Sequence, residues 1–243
     1  MKVSIPQIVR YADVDQDSVV RLPVLWSYLQ EAAIYHSSHC GDGPQALLER
    51  GCVWVLHKIA MQVLDTAYFE DPIQITTWSR GSRGFKAFRD FVILSGEKEI
   101  ARATSIWAYV SLIDGRPQRI PSDLMERYSV EESLAWDIDL EGWKPNPSVG
   151  EEFIVEISTR YQDFDTNGHM NNAVYLSLVE TAIEKKLKKP PYFQEIKMQY
   201  NRSVSPETEM VKVGLRSNAT EKLEFKIFDS KGTFACGDCH ILQ

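Results

Sequence analysis

The residues best suited to chemistry lie in one short stretch, DFDTNGHMNN at 163–172. Asp165, Asn167 and His169 alternate along it, so in an extended chain their side chains would share one face. A histidine with an ordinary pKa of about 6.5 can act as a base at neutral pH. The spacing therefore predicts a site at which three polar groups converge on a reacting atom.

The same stretch leads into a predicted helix, which adds a second chemical element. The start of a helix offers backbone N–H groups without partners and the positive end of a dipole, so residues 168–172 can form an oxyanion hole. Gly168 would let a substrate approach closely. Asparagine is also a preferred helix cap, and this is the role that we favour for Asn171 and Asn172.

A faded copy of the motif region lies 150 positions earlier, since 161 − 11 = 150, which predicts a duplicated unit. The matched pairs are Tyr11 and Tyr161, Asp13 and Asp163, Asp15 and Asp165, Val24 and Val174, and Ser27 and Ser177. The copies differ at the motif, where Asn167, Gly168 and His169 face Asp17, Ser18 and Val19. We expect the second copy to carry the chemistry and the first to hold a ligand.

The composition is that of an ordinary globular protein, with 44% hydrophobic and 25% charged residues among 243. This length suits one large domain or two small ones. The net charge of −7 argues against non-specific nucleic-acid binding. The N-terminus has no apolar core of a signal peptide, and no apolar run approaches a membrane span, so we expect a cytoplasmic protein without a membrane span.

The last strand contains Cys236, Cys239 and His240, which match the C-x-x-C-H pattern of c-type haem attachment. In a regular strand the two cysteines point to opposite faces and cannot share a metal or a disulfide. We interpret them as reduced structural thiols. His36, His39 and His57 are likewise interpreted as structural.

Periodicity predicts the same order of elements twice. A helix over 22–41 is followed by four strands, 52–63, 72–80, 85–94 and 99–113, which we expect to form an antiparallel meander. The second half has a strand at 152–160, a helix at 172–187, and strands at 195–204, 209–218, 221–230 and 232–242. This predicts an α+β fold, a tandem hotdog in which each of two long helices is wrapped by an antiparallel β-sheet. The predicted domains are 1–130 and 151–243, joined by an acidic linker with two prolines at 131–150.

The chain resembles the acyl-acyl carrier protein (ACP) thioesterase family of plant plastids and some bacteria. In the first half the likeness lies in WVLHKIAMQV (54–63), PIQITTWSRGSRGFKAFRDFVI (72–93) and ATSIWAYVSLIDGRPQRIP (103–121). In the second it lies in DFDTNGHMNNAVYLSLVETA (163–182) and around Tyr200 and Arg202. One departure is clear: plant enzymes carry Tyr-Arg-Arg-Glu-Cys where this chain has Tyr200, Asn201, Arg202, Ser203 and Val204. A cysteine nucleophile is therefore absent from that position.

The resemblance implies a hydrolase that cleaves the thioester of fatty acyl-ACP, releases the free fatty acid and so ends chain elongation. Asp165, Asn167 and His169 would be the catalytic residues, with Asp165 and His169 activating water and Asn167 positioning the water or the carbonyl. No cofactor and no metal are implied. The first unit would supply the acyl-chain tunnel, with candidate lining residues Trp26, Leu29, Val53, Trp54, Val55 and Leu56.

The implied partner is the acidic acyl carrier protein with its phosphopantetheine arm. Two basic clusters could bind it, one formed by Arg80, Arg83, Lys86 and Arg89 and the other by Lys185, Lys186, Lys188 and Lys189. The alternative functions are an acyl-CoA thioesterase and a non-catalytic acyl-binding protein. A dehydratase is disfavoured because the first copy has no histidine in its loop. A duplicated chain can act as a monomer, although the sequence is also compatible with a homodimer.

Overall fold

The computed structural model describes residues 1–146, 152–217 and 222–242, and the chain divides into two compact units, Met1–Gly142 and Trp143–Gln243. The predicted linker is divided between them. Its residues 131–142 belong to the first unit and residues 143–146 to the second, while residues 147–150 lie outside the described part.

The first unit is built from five strands and three helices. In chain order these are β1 (Val3–Ile8), α1 (Leu22–His39), α2 (Pro44–Glu49), β2 (Cys52–Val63), β3 (Pro72–Arg83), β4 (Lys86–Ser95), β5 (Lys98–Ser111) and α3 (Ser122–Arg127). The long predicted helix is thus confirmed as α1, and Gly41 follows its end with a φ of 69°. This left-handed value suits glycine, which explains why the helix stops there.

The strand order within this unit is β1-β3-β4-β5-β2, with antiparallel pairing throughout. The predicted four-strand meander is therefore wrong in one respect: only β3, β4 and β5 follow one another as neighbours, and β2 pairs with β5. Two-residue connections join β3 to β4 and β4 to β5, which suits hairpins, whereas residues 64–71 separate β2 from β3. That longer connection allows β3 to lie away from β2.

The second unit repeats this plan. It contains β6 (Phe153–Ser158), α4 (Asn172–Leu187), β7 (Tyr192–Tyr200), β8 (Met210–Ser217), β9 (Lys222–Asp229) and β10 (Gly232–Leu242). The order within the unit is β7-β10-β9-β8-β6, so β7 pairs with β10 and the meander again has three strands. Positions 218 and 221, at the ends of two predicted strands, lie outside the described residues.

Strand alternation places the apolar side chains of each unit under its helix. On β9, Leu223, Phe225 and Ile227 are buried, whereas the intervening side chains are only half-buried. Helix α4 packs against β6, β8 and β9, and α1 packs against β1 and β3. The buried faces of these helices and strands supply the hydrophobic driving force for each unit. None of the helices in the described ranges is long and apolar enough to cross a membrane.

Residues 131–142 lie along the first unit as a strap. The amide of Ala135 donates to the Asp90 carboxylate at 2.9 Å, and the Trp78 indole donates to the carbonyl of Ser133 at 2.8 Å. The Lys58 ammonium donates to the carbonyls of Leu140 and Glu141 at 3.4 and 3.2 Å. These bonds make the strap part of the first unit.

Candidate functional site

The motif in the second unit is a tight turn rather than an extended segment. The Gly168 amide donates to the carbonyl of Asp165 at 3.0 Å, and the Asp165 amide donates to the carbonyl of His169 at 2.8 Å. Gly168 has a φ of 69°, a left-handed value that closes the turn. The segment is therefore not extended, so the alternation argument does not apply to it, although all three residues lie in this one turn.

One oxygen of the Asp165 carboxylate accepts a hydrogen bond inside the turn, and the other does not. Its Oδ1 accepts the Asn167 amide at 2.8 Å, which is the side-chain-to-backbone bond that orders such turns. Within residues 1–146, 152–217 and 222–242, no hydrogen bond to Oδ2 is present. Asp165 is half-buried, so this second oxygen can accept a bond from water or substrate.

The side chains of Asn167 and His169 are exposed. Among the described residues neither forms a hydrogen bond, and neither contacts the other through one. The turn thus presents an amide and an imidazole to solvent beside a half-buried carboxylate. These are the groups that hydrolysis of an acyl compound requires, a base and polar groups that orient the water and the carbonyl.

Helix α4 begins beside the turn, and its start is capped as predicted for Asn171. The Asn171 side chain accepts the Ala173 amide at 2.9 Å, while Asn172 is the first helical residue. The predicted oxyanion hole at 168–172 has fewer free backbone amides than expected. The amides of Gly168, Met170 and Asn171 already donate to the carbonyls of Asp165, Val204 and Asp163. Within the described chain, the amides of His169 and Asn172 are the two left in that stretch without an acceptor.

The first unit contains the same turn, with one more hydrogen bond inside it. Ser18 has a φ of 62°, and its amide donates to the carbonyl of Asp15 at 3.1 Å. Here, however, the Asp15 carboxylate accepts two amides, from Asp17 at 2.9 Å and from Val19 at 3.0 Å. Val19 also forms a β-bridge with Tyr68. The amide that corresponds to that of His169 is therefore occupied, and this bond distinguishes the first turn from the second.

The segment after β7 meets the motif through its backbone, which the sequence did not predict. The Met170 amide donates to the carbonyl of Val204 at 3.0 Å. Val204 is fully buried, so the position that carries cysteine in the plant enzymes lies next to the motif but offers only hydrocarbon. Nearby, Arg202 pairs with Asp229 at 2.6 Å and stacks over the Phe234 ring.

The other candidate chemical groups have structural surroundings. Cys236 and Cys239 are free and buried on β10, and burial raises the pKa of both thiols, which disfavours the reactive thiolate. His36 is fully buried, with its Nδ1 2.8 Å from the Arg89 guanidinium. Burial foremost, and then the Arg89 charge, lowers the pKa of His36 to about 3. His36 is therefore a neutral core residue at physiological pH.

The two predicted basic clusters differ in accessibility. In the first, Arg89 is buried, Arg80 pairs with Asp90, and Arg83 and Lys86 both pair with Glu141. In the second, Lys186 lies over the Phe153 ring at 5.7 Å and the other three lysines are exposed. Among the described residues, no ion pair involves this second cluster. Positive charge is thus available at the end of α4 and largely neutralised on the first unit.

The six candidate tunnel residues separate into different surroundings. Trp26, Leu29 and Leu56 are buried, Val53 and Trp54 are half-buried, and Val55 is exposed. The Trp54 indole donates to the Asp42 carboxylate at 3.1 Å and packs against Tyr109, which is a structural role. The acyl tunnel in the first unit remains a prediction.

Comparison with known proteins identifies a family whose sequence models match this chain. The family model of the acyl-ACP thioesterase N-terminal domain matches residues 6–128, and that of the C-terminal domain matches residues 147–239. The chloroplastic acyl-[acyl-carrier-protein] hydrolase FATB3 of Cuphea viscosissima is 28% identical over 181 residues, which cover 70% of this chain and 44% of the relative. Oleoyl-acyl carrier protein thioesterase 1 of Arabidopsis thaliana is 23% identical over 212 residues, 80% of this chain and 58% of the relative.

Solved structures share the fold over the full length. The acyl-ACP thioesterase of Bacteroides thetaiotaomicron matches with a TM-score of 0.87 at 18% identity, covering 99% of this chain and 98% of that one. The 12:0-ACP thioesterase of Umbellularia californica matches with a TM-score of 0.85 at 17% identity, covering 99% and 97%. The predicted tandem hotdog is confirmed. Because the two family models together cover most of the sequence, this chain belongs to the acyl-ACP thioesterase family.

Proposed function

We propose that the protein hydrolyses the thioester of fatty acyl-ACP and releases the free fatty acid. The observation that carries this proposal is the contrast between the two copies of the turn. In the second unit, the amide of His169 is open beside its exposed imidazole, whereas the corresponding amide of Val19 in the first-unit turn donates to the Asp15 carboxylate. Family membership supports this substrate class, since relatives such as FATB3 of Cuphea viscosissima are acyl-[acyl-carrier-protein] hydrolases.

In the proposed mechanism, Asp165 and His169 activate and orient a water molecule that attacks the thioester carbonyl. Asn167 positions the water or the carbonyl oxygen. The amides of His169 and Asn172, at the positive end of α4, donate to the oxyanion of the tetrahedral intermediate. Its collapse breaks the carbon–sulfur bond, the pantetheine thiol takes a proton, and the fatty acid leaves. This mechanism requires no cysteine nucleophile, which fits the hydrocarbon side chain at Val204.

The test is release of free fatty acid from a panel of acyl-ACP thioesters of different chain lengths. We expect His169→Ala and Asp165→Asn each to lower kcat by about 10²- to 10⁴-fold, the usual contribution of a general acid–base group. The matched controls are Val19→Ala and Asp15→Asn, the same positions of the first copy, which should keep the wild-type kcat.

Each alternative gives a different result in this assay. Faster release from acyl-CoA than from acyl-ACP would indicate an acyl-CoA thioesterase. Folded protein that binds acyl-ACP and releases nothing would indicate an acyl-binding protein, and would reject the hydrolytic mechanism. Equal losses in the first-copy controls would place the site elsewhere.

The carrier protein is proposed to dock on the exposed lysines at the end of α4, Lys185, Lys188 and Lys189. Acidic carrier surfaces are attracted by such unpaired cations, chiefly through the association rate. Helix α4 has 16 residues and is about 24 Å long, so the carrier would present its arm along the helix toward the motif. Lys185→Glu with Lys188→Glu should raise KM for acyl-ACP at low salt. The Arg83→Glu and Lys86→Glu pair, whose cations are already bound by Glu141, is the control.

The proposed location is the cytoplasm. All four cysteines are free and buried, which suits a reducing compartment. Mass spectrometry of the native protein after thiol alkylation under denaturing conditions should find four alkylated cysteines. A disulfide in freshly prepared protein would contradict this proposal.

A further inference from the structure

Tyr175 is connected to the motif by two hydrogen bonds in series. It is on the buried face of α4 and is 2% exposed. Its hydroxyl accepts the backbone amide of Val204 at 3.0 Å, and the carbonyl of Val204 accepts the Met170 amide at 3.0 Å. The phenol, the end of the β7 segment and the motif turn are therefore joined in series.

Only the second copy has a hydroxyl at this position. The corresponding position in the first unit, 175 − 150 = 25, is Leu25, which is equally buried. A buried hydroxyl costs free energy unless it forms hydrogen bonds, so leucine is the cheaper choice for packing alone. The polar side chain thus accompanies His169 and Asn167 as a difference between the copies.

The phenol keeps its own proton available for donation. A tyrosine hydroxyl can accept bonds and donate one, and here it accepts from Val204. In the described parts of the chain it donates to no atom. Burial, opposed by the bond from Val204 and assisted by the negative charge of Asp165, raises the pKa of Tyr175 to about 12. Arg202, which is paired with Asp229, opposes this shift. Tyr175 is therefore protonated at neutral pH.

We propose that Tyr175 is a positioning residue for the motif. Its oxygen holds the turn in place through Val204 and Met170, and so fixes the position of Asp165 and His169 relative to α4. This inference rests on the proposed function, in which Asp165 and His169 activate and orient water. It also assigns a role to the segment that carries cysteine in the plant enzymes: in this chain its backbone, rather than its side chain, serves the site.

The test is Tyr175→Phe, which keeps the ring and removes only the hydroxyl. We expect kcat for acyl-ACP to fall about tenfold or more, with KM changed less than about twofold, the effect of one lost hydrogen bond that positions the reacting groups. The matched control is Tyr28→Phe, which removes a buried hydroxyl that donates to Asp13 at 2.7 Å in the first unit. It should keep the wild-type kcat.

A wild-type kcat in Tyr175→Phe would overturn the proposal, and so would equal losses of kcat in Tyr175→Phe and Tyr28→Phe, which a general structural role of a buried hydroxyl predicts. Amide exchange at Met170 provides a readout that does not depend on turnover. It should quicken in Tyr175→Phe and stay unchanged in Tyr28→Phe, and unchanged exchange in both variants would reject the positional role. If the wild type releases no fatty acid, the proposed function fails, while this exchange measurement still decides whether Tyr175 holds the turn.

Discussion

At the scale of single residues, the same chemical group has different tasks according to its surroundings. Asp165 and Asp15 occupy equivalent turns, yet Oδ1 of Asp15 accepts hydrogen bonds from two amides whereas Oδ1 of Asp165 accepts one. The histidines differ as well: His169 is exposed at the motif, while His36 is sealed in the core against Arg89. Burial and hydrogen bonding, rather than residue type, separate structural groups from candidate catalytic ones.

The sealed state of His36 predicts a pH-dependent stability. Its pKa is about 3 in the folded protein, mainly because of burial, and about 6.5 when unfolded. Below pH 6.5 His36 therefore binds a proton in the unfolded chain but not in the folded chain. The free energy of unfolding falls as the pH falls. Relative to His36→Gln, wild type should lose about 2 kcal/mol of unfolding free energy between pH 7 and pH 5. Denaturant titration of both proteins measures this difference; parallel pH curves would contradict a neutral buried His36.

At the scale of elements, the close approach of two neighbouring strands limits the size of the side chains between them. Gly237 on β10 faces β7, where an added Cβ would lie 1.9 Å from the carbonyl oxygen of Lys197 and 2.6 Å from the Phe225 ring. Backbone atoms in a paired strand cannot move aside easily. The approach of β10 to β7 therefore depends on the absence of a side chain at this position.

Gly237→Ala is accordingly expected to be strongly destabilising. Overpacking of this kind costs about 1–3 kcal/mol or more, since the clash is with backbone. Gly214→Ala on β8 is the matched control, because its Cβ would meet Phe228 at 3.4 Å, an ordinary contact. Thermal unfolding should show a large loss of Tm for the first variant and a small change for the second. Similar Tm values for both would show that β10 can shift to relieve the clash.

At the scale of the whole molecule, duplication has produced two units with one plan and different detail. Both have a capped 3-10 turn in which an arginine holds the third residue, Arg10 with Asp13 and Arg160 with Asp163. The first unit alone carries the strap over residues 131–142. Its hydrogen bonds to Asp90, Trp78 and Lys58 extend that unit to Gly142, beyond the boundary expected from the prolines and acidic residues.

The strap should loosen when its central acceptor is removed. Asp90 is fully buried and accepts the Ala135 amide, so Asp90→Ala leaves that amide without a partner. We expect exchange of the Ala135 amide to quicken about tenfold or more, as a lost buried hydrogen bond implies. Asp90→Asn, which retains an acceptor oxygen, should quicken it much less. Exchange mapped over 131–142 gives the answer, and equal rates in both variants would mean that other contacts hold the strap.

The sequence by itself determined the local features of this protein. Strand and helix periods placed α1, α4 and the strands β2 to β10, because these signals depend on neighbouring residues alone. The cap at Asn171 was predictable for the same reason. The 150-residue offset with its paired aspartates identified the duplication. Asp165, Asn167 and His169 were found by their types, and their catalytic roles stay a prediction.

Only the tertiary structure decided how distant segments meet. It placed β2 beside β5 and β7 beside β10, since strand order depends on which pairing covers the helix rather than on local periodicity. It showed that Asp165 to His169 form a turn closed by Gly168, and that hydrogen bonds connect this turn through Val204 to Tyr175. It also buried Arg89 and paired its neighbours, which charge counting along the chain cannot reveal. Hydrogen bonds between residues far apart in sequence, such as that from Met170 to Val204, carry no local signal, so only the folded chain reveals them.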